Sequence, residues 1–115
     1  MKIWHDEDGE AFTNSDVCWG KEFNPGTGAI NVAKISIRGR FPEKGWGYND
    51  EAHEMAIVVR GKGTIEIKGE ESHDLKVGDV VYFAPQERVR WSGELDLIIP
   101  CGPAFEPGKH HVEEE

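Results

Sequence analysis

The chain is poor in the features that would mark a helical, membrane-bound or disulfide-built protein. It has 115 residues, and no window of eleven or more repeats its apolar positions at three and four, so amphipathic helices are not expected. No stretch approaches the ~18 apolar residues that span a bilayer, and "MKIWHDEDGE" lacks the basic start and apolar middle of a signal peptide. Two cysteines, Cys18 and Cys101, are too few and too far apart for a metal-type pair or a disulfide framework, and they read as buried free thiols. Positive charge is scarce as well. Thirteen Lys+Arg stand against 22 Asp+Glu, a formal net charge of −9 that would repel nucleic-acid phosphates and anionic lipid. A soluble, cytoplasmic protein with neither nucleic acid nor membrane as partner is therefore expected.

Glycine is plentiful: 14 glycines and 6 prolines punctuate the whole length. Between them lie short runs with strand character, at 17–23, 30–41, 54–60, 63–69, 79–84, 88–92 and 95–100. Turn chemistry separates the runs, as in "NPGTG", "FPEKG", "RGKG", "KVGD", "APQE" and "SGE". This pattern predicts an all-β fold, a sandwich or a closed barrel, and the length suits one domain with a real core. Three stretches are distinguished: a lead-in with N-terminal strands at 1–29, the core of the fold at 30–100, and an extension at 101–115 that packs on it and ends in an acidic tail. After Phe105 the tail is expected to be loosely held. Phe105 itself, near Pro103 and Pro107, would plug a barrel end or pack on a partner subunit.

The densest chemistry lies in "GWGYNDEAHEMAIVVRGKGTIEI", residues 45–67, where one histidine sits among acids ahead of an apolar strand. "EMAIVVRGKGTIEI", with "LKVGDVVYFAPQERVRW" after it, resembles the two motifs of the cupin superfamily, whose members are small jelly-roll β-barrels. The resemblance spans roughly residues 30–100 and implies a cupin-type jelly-roll β-barrel in a single domain, and a homodimer. The family's first motif runs glycine, five residues, His-x-His, three or four residues, Glu, six residues, Gly. Glu54 and Gly61 fit its end, while the histidine positions fall on Tyr48 and Asp50, or on Gly47 and Asn49. His53 is adjacent to Glu54, so on a strand it points to the opposite face. In the second motif Gly78 and Pro85 are kept, but Glu87 stands at the glycine and Arg90 at the metal-binding histidine.

A family-type site joins three imidazoles to one carboxylate and holds manganese, iron, nickel or zinc. With only Glu54 in register, no family-type metal and no cofactor is expected. An irregular substitute from Glu54, His53 and Asp50, joined by Asn49 or the tail histidines His110 and His111, is the alternative. If Arg90 points into the barrel, it pairs with Glu54 where the metal would stand and grips an anionic ligand; a slip of one residue turns it outward. Arg38 and Arg40 join it only if the polar face of "VAKISIRGR" is the lumen. Trp46 and Tyr48 are candidates for the rim of the mouth. The expected function is binding of a small polar or anionic molecule through Glu54, Arg90, Trp46, Tyr48, Asp50 and Arg38. The alternatives are a cupin enzyme, either a metal-dependent dioxygenase, decarboxylase or isomerase or a metal-free sugar epimerase using Tyr48 or His53, and a non-catalytic scaffold.

Overall fold

A computed structural model of the chain describes residues 1–114. Nine strands form the fold: β1 (Glu10–Ser15), β2 (Cys18–Phe23), β3 (Asn31–Phe41), β4 (Trp46–Asn49), β5 (His53–Ile67), β6 (Ser72–Lys76), β7 (Val80–Phe83), β8 (Val89–Gly102) and β9 (His110–Glu113). Every pairing is antiparallel. The path β1-β2-β3-β8-β4-β9 is joined by β5, which pairs with β6, β7 and β8. The protein is a single-domain jelly-roll β-barrel. No helix among the described residues is long and apolar enough to cross a membrane.

β8 is the spine, because both of its edges are bonded over most of its length. It pairs with β3 from Asn31–Cys101 to Phe41–Trp91, and with β5 from His53–Gly102 to Ile67–Val89. Its residues alternate accordingly, with Trp91, Leu95, Leu97, Ile99 and Cys101 buried on the face turned to the interior. The period of two in "VAKISIRGR" does the same for β3: Ile37 is 1% exposed, and the outward Arg38 bonds Asp96. Ile37, Ala56, Val58, Ile65, Leu95 and Leu97 form the heart of the core.

Two expected turns are continuous strand. "RGKG" lies inside β5 and "SGE" inside β8, where the glycines let two long strands bend and pass close together. Gly61 has φ +85°, and a Cβ there would land on the Glu94 carbonyl. Gly93, at φ +117°, faces Gly63 in the register, and a Cβ on it would meet the Gly63 backbone. A bulge between Val58 and Arg60 completes the bend.

Three further strands lie outside the seven runs, β1 within the stretch expected to hold N-terminal strands and β4 and β6 where none was expected. "EAFTNS", "WGYN" and "SHDLK" are polar or glycine-bearing and take strand form as β1, β4 and β6 by pairing with a neighbour. The tail after Phe105 is likewise ordered into β9, since His110–Glu113 pairs with Trp46–Asn49 and closes the edge of β4. Glu113 accepts a hydrogen bond from Lys68 at 2.6 Å.

Candidate functional site

The inner faces of the strands enclose a cavity of about 440 Å³. Ala33, Ile35 and Ile37 of β3 and Leu97 and Ile99 of β8 form one wall. Phe83 of β7 and Trp91 of β8 form an edge-to-face pair, with ring centroids 5.6 Å apart and planes at 90°. The C-terminal segment covers the cavity with Phe105, Pro107 and His110, and it is anchored where Asn31 Oδ1 accepts the Phe105 amide at 2.8 Å. Phe105 thus lines the cavity from the side of the tail.

Glu54 reaches this cavity because β5 alternates. Glu54, Ala56 and Val58 turn inward, while His53 and Met55 turn outward. Across the sheet Glu54 lies opposite Phe83 and Cys101, and the Cys101 thiol sits 4.0 Å from its Oε1. Among the described residues no cation is within ion-pair distance of Glu54, and burial pushes its carboxyl above the ordinary range. Cys101 is pushed up to about 12 by burial and then by the charges of Glu54 and Glu22, while its thiol donates to the Pro103 carbonyl at 3.3 Å. Glu22 and Glu10, directly opposite one another on β2 and β1, also line the cavity; burial and then Glu10 raise the Glu22 carboxyl. His110 is lowered by burial and then by His111, which favours the neutral imidazole.

The side chains expected around Glu54 are not brought together with it. Arg90 lies on the outer face of β8, one residue from the inward Trp91. Its guanidinium bonds Glu66 at 2.5 Å and stacks 4.0 Å over the Trp46 ring. The Glu54–Arg90 pair is therefore replaced by an exterior Glu66–Arg90 pair, because side chains on a strand alternate and the register places Glu66 beside Arg90. Arg38 points outward to Asp96 at 2.9 Å and does not enter the lumen.

Trp46 and Tyr48 do not line the mouth. β4 turns Gly47 to the cavity, whereas Tyr48 lies on the other face beneath Arg88, 3.6 Å from the ring, and beside His111. Asp50 meets His111 Nε2 at 3.0 Å, and His53 Nδ1 meets the Tyr82 hydroxyl at 2.7 Å. Glu54, His53 and Asp50 thus occupy three separate places, and the irregular metal set they were expected to form does not assemble. No group of three His, Cys, Asp or Glu among the described residues is arranged to hold a metal ion. The donor set does not fit the family's metal: imidazoles are missing at the aligned positions, and the lumen offers carboxylates, thiols and one histidine from the tail.

Sequence reasoning missed the lumen roles of Glu22, Asn31 and Cys101, and it named His110 only as a ligand in the alternative, irregular metal set with Glu54. Parity along "VCWGKEF" places Glu22 on the face of Cys18 and was a usable signal; the extension was expected to pack on the core, but its local pattern did not show which of His110 and His111 faces the cavity. Asn49 also lies inside the fold, where its Oδ1 accepts the amides of Glu51 and Ala52 and its Nδ2 has no partner.

The barrel, its long β5 and β8, and the inward Glu54 define a small single-domain protein of the cupin fold. Residues 43–95 match the family model described as EutQ-like cupin domain. Among solved structures, the chain is similar to Pac13 from Streptomyces, described as a nucleoside dehydratase and also seen with uridine. The TM-score is 0.84 at 17% identity, over 99% of this chain and 92% of that one. It is similar to ectoine synthase from P. lautus, with TM-score 0.76 and 14% identity over 98% and 90% of the chains. A protein from Planctomyces limnophilus gives TM-score 0.79 at 23% identity, over 96% and 95%. A search of curated proteins finds no sequence match.

Proposed function

We propose that the protein binds a small polar molecule in the barrel lumen, and does so without the transition metal of its fold family. The observation that carries this reading is the cavity itself: about 440 Å³, with apolar and aromatic walls and the Glu54 carboxyl set among them. Such a mixture suits a compact ligand that buries a hydrocarbon or ring face and presents one or two polar groups. An anionic ligand is disfavoured. The lining residues include Glu10, Glu22 and Glu54 but no lysine or arginine, because Arg38 and Arg90 face outward.

A thermal-shift screen of small neutral and charged compounds tests the reading, with Ala33→Phe as a variant that fills the cavity. Ligands should stabilise the wild type and lose their effect in Ala33→Phe. A set of hits equally effective on both would place binding elsewhere. Elemental analysis of the purified protein should find no stoichiometric manganese, iron, nickel or zinc; about one ion per chain would overturn the metal-free part.

An enzymatic reading is favoured by a separate observation. Glu54 and His110 are titratable groups on one cavity, with burial raising the first and lowering the second, the pattern of an acid and base pair. The similar structures of a nucleoside dehydratase and an ectoine synthase agree with it in kind. Solvent-deuterium incorporation into screening hits, lost in Glu54→Gln, would support it. The outward Tyr48 and His53 are not its acid and base. The outer face also exposes Met55, Val59, Val80 and Tyr82, which supports the homodimer, checked by light scattering at twice the chain mass.

A further inference from the structure

We infer that the lumen ligand carries an ammonium group, held by the Glu54 carboxylate against the Phe83–Trp91 pair. The inference rests on the lumen-binding reading and names the chemistry at one end of the ligand. Glu54 is the cross-strand neighbour of both Phe83 and Cys101, and Phe83 packs edge-to-face on Trp91, so the carboxylate has one aromatic ring beside it and a second behind that ring, all three lining the one cavity. An organic cation is recognised by that combination: the carboxylate supplies the counter-charge, and ring faces attract the ammonium and its adjoining CH groups.

Three other features favour a cation over a neutral partner. The Glu54 carboxylate is buried and has no ion-pair partner among the described residues, so a ligand that brings positive charge offsets the cost of that burial. Glu22 and Glu10 line the same cavity and add negative potential, and no lysine or arginine lines it to offset them. The thiols of Cys18 and Cys101 and the buried imidazole of His110 present no fixed positive charge to compete. The remaining wall, Ile35, Ile37, Leu97 and Ile99, suits a saturated or ring-shaped body behind the ammonium.

Three probes of nearly equal size, cyclohexylamine, cyclohexanol and cyclohexanecarboxylate, test this by NMR titration of the whole chain at neutral pH. The amine should bind about tenfold or more tightly than the alcohol, with the carboxylate not saturating. Amine saturation should shift the Trp91 indole resonance, a readout that needs no variant. In Glu54→Gln the alcohol should retain its affinity, and the amine-to-alcohol ratio should fall to about one. Alcohol or carboxylate binding as tightly as amine overturns the ammonium inference and leaves lumen binding standing. An amine preference that survives Glu54→Gln also overturns it. If none of the three perturbs lumen residues, the lumen-binding reading fails with it.

Discussion

The sharpest prediction concerns Arg90, whose side of the strand decides what kind of lumen this is. Facing outward, it pairs with Glu66 with the two side chains 14% and 35% exposed, and it stacks on Trp46. Arg90→Ala then removes a partly solvated ion pair of ~0.5–1 kcal/mol, a cation–π contact of similar size, and the packing of a half-buried stem worth ~1 kcal/mol. The expected loss is ~2–3 kcal/mol, measured by urea denaturation. Had Arg90 been the lumen partner of Glu54, its removal would strand a buried carboxylate and cost ~3–5 kcal/mol. Since these ranges meet at ~3 kcal/mol, double-mutant cycles make the decision. Arg90 and Glu66 should couple by ~0.5–1 kcal/mol, whereas Arg90 and Glu54 should be additive within ~0.3–0.5 kcal/mol. Coupling of Arg90 to Glu54 above ~1 kcal/mol would refute the assigned face. By the same geometry Arg90→His should gain no affinity for divalent transition metals, since its imidazole would lie outside the barrel.

Stability should also depend on pH through Glu54. Its folded carboxyl titrates above its unfolded value, so the folded state binds more protons in the interval between them. Stability therefore falls as pH rises from the ordinary carboxylate range through the raised folded value, then levels. Cys101 on β8 lies against it, and Glu22 on β2, Glu10 on β1 and His110 on β9 are the other titratable groups lining the same cavity. Glu54→Gln should be the more stable protein at neutral pH, with a flatter profile of urea midpoints; a steeper one would show that the carboxylate is stabilised by its surroundings. With Cys101 pushed up to about 12, and both thiols buried, labelling by a thiol reagent at pH 8 should track unfolding, and rapid modification of the native protein would contradict the burial. Leu97→Ala, at a position 1% exposed, should cost ~2–5 kcal/mol in urea denaturation. Gly93→Ala should also destabilise, because φ is +117° and the added methyl meets the Gly63 backbone; an unchanged midpoint would mean that the close crossing of β5 and β8 relaxes freely.

Local pattern made much of the fold legible. The strand character of 30–41 and 95–100 marked two of the barrel's principal strands, the alternation in "VAKISIRGR" separated an apolar from a polar face without saying which met the lumen, and the cupin motifs supplied the architecture. The same period of two set His53 on the face opposite Glu54. Strands that depend on a partner were not legible: β4 and β9 are short, polar or glycine-bearing, and hold their form by pairing with each other. The turn chemistry of "RGKG" and "SGE" also misled, since glycine permits a bend within a strand as readily as a reversal between two.

What the sequence determined by itself was the all-β class, the absence of the family's histidines at their aligned positions, and the presence of Glu54 at the carboxylate position. These are matters of residue type and local period, and need no partner to be read. Tertiary structure decided which charges share the lumen. A register fixed by β3, β5 and β8 turned Arg90 out and Trp91 in, and the return of the tail placed His110 over the cavity. Both outcomes depend on contacts between strands far apart in the chain. A shift of one residue in that pairing would turn the Arg90 cation into the lumen in place of the Trp91 indole.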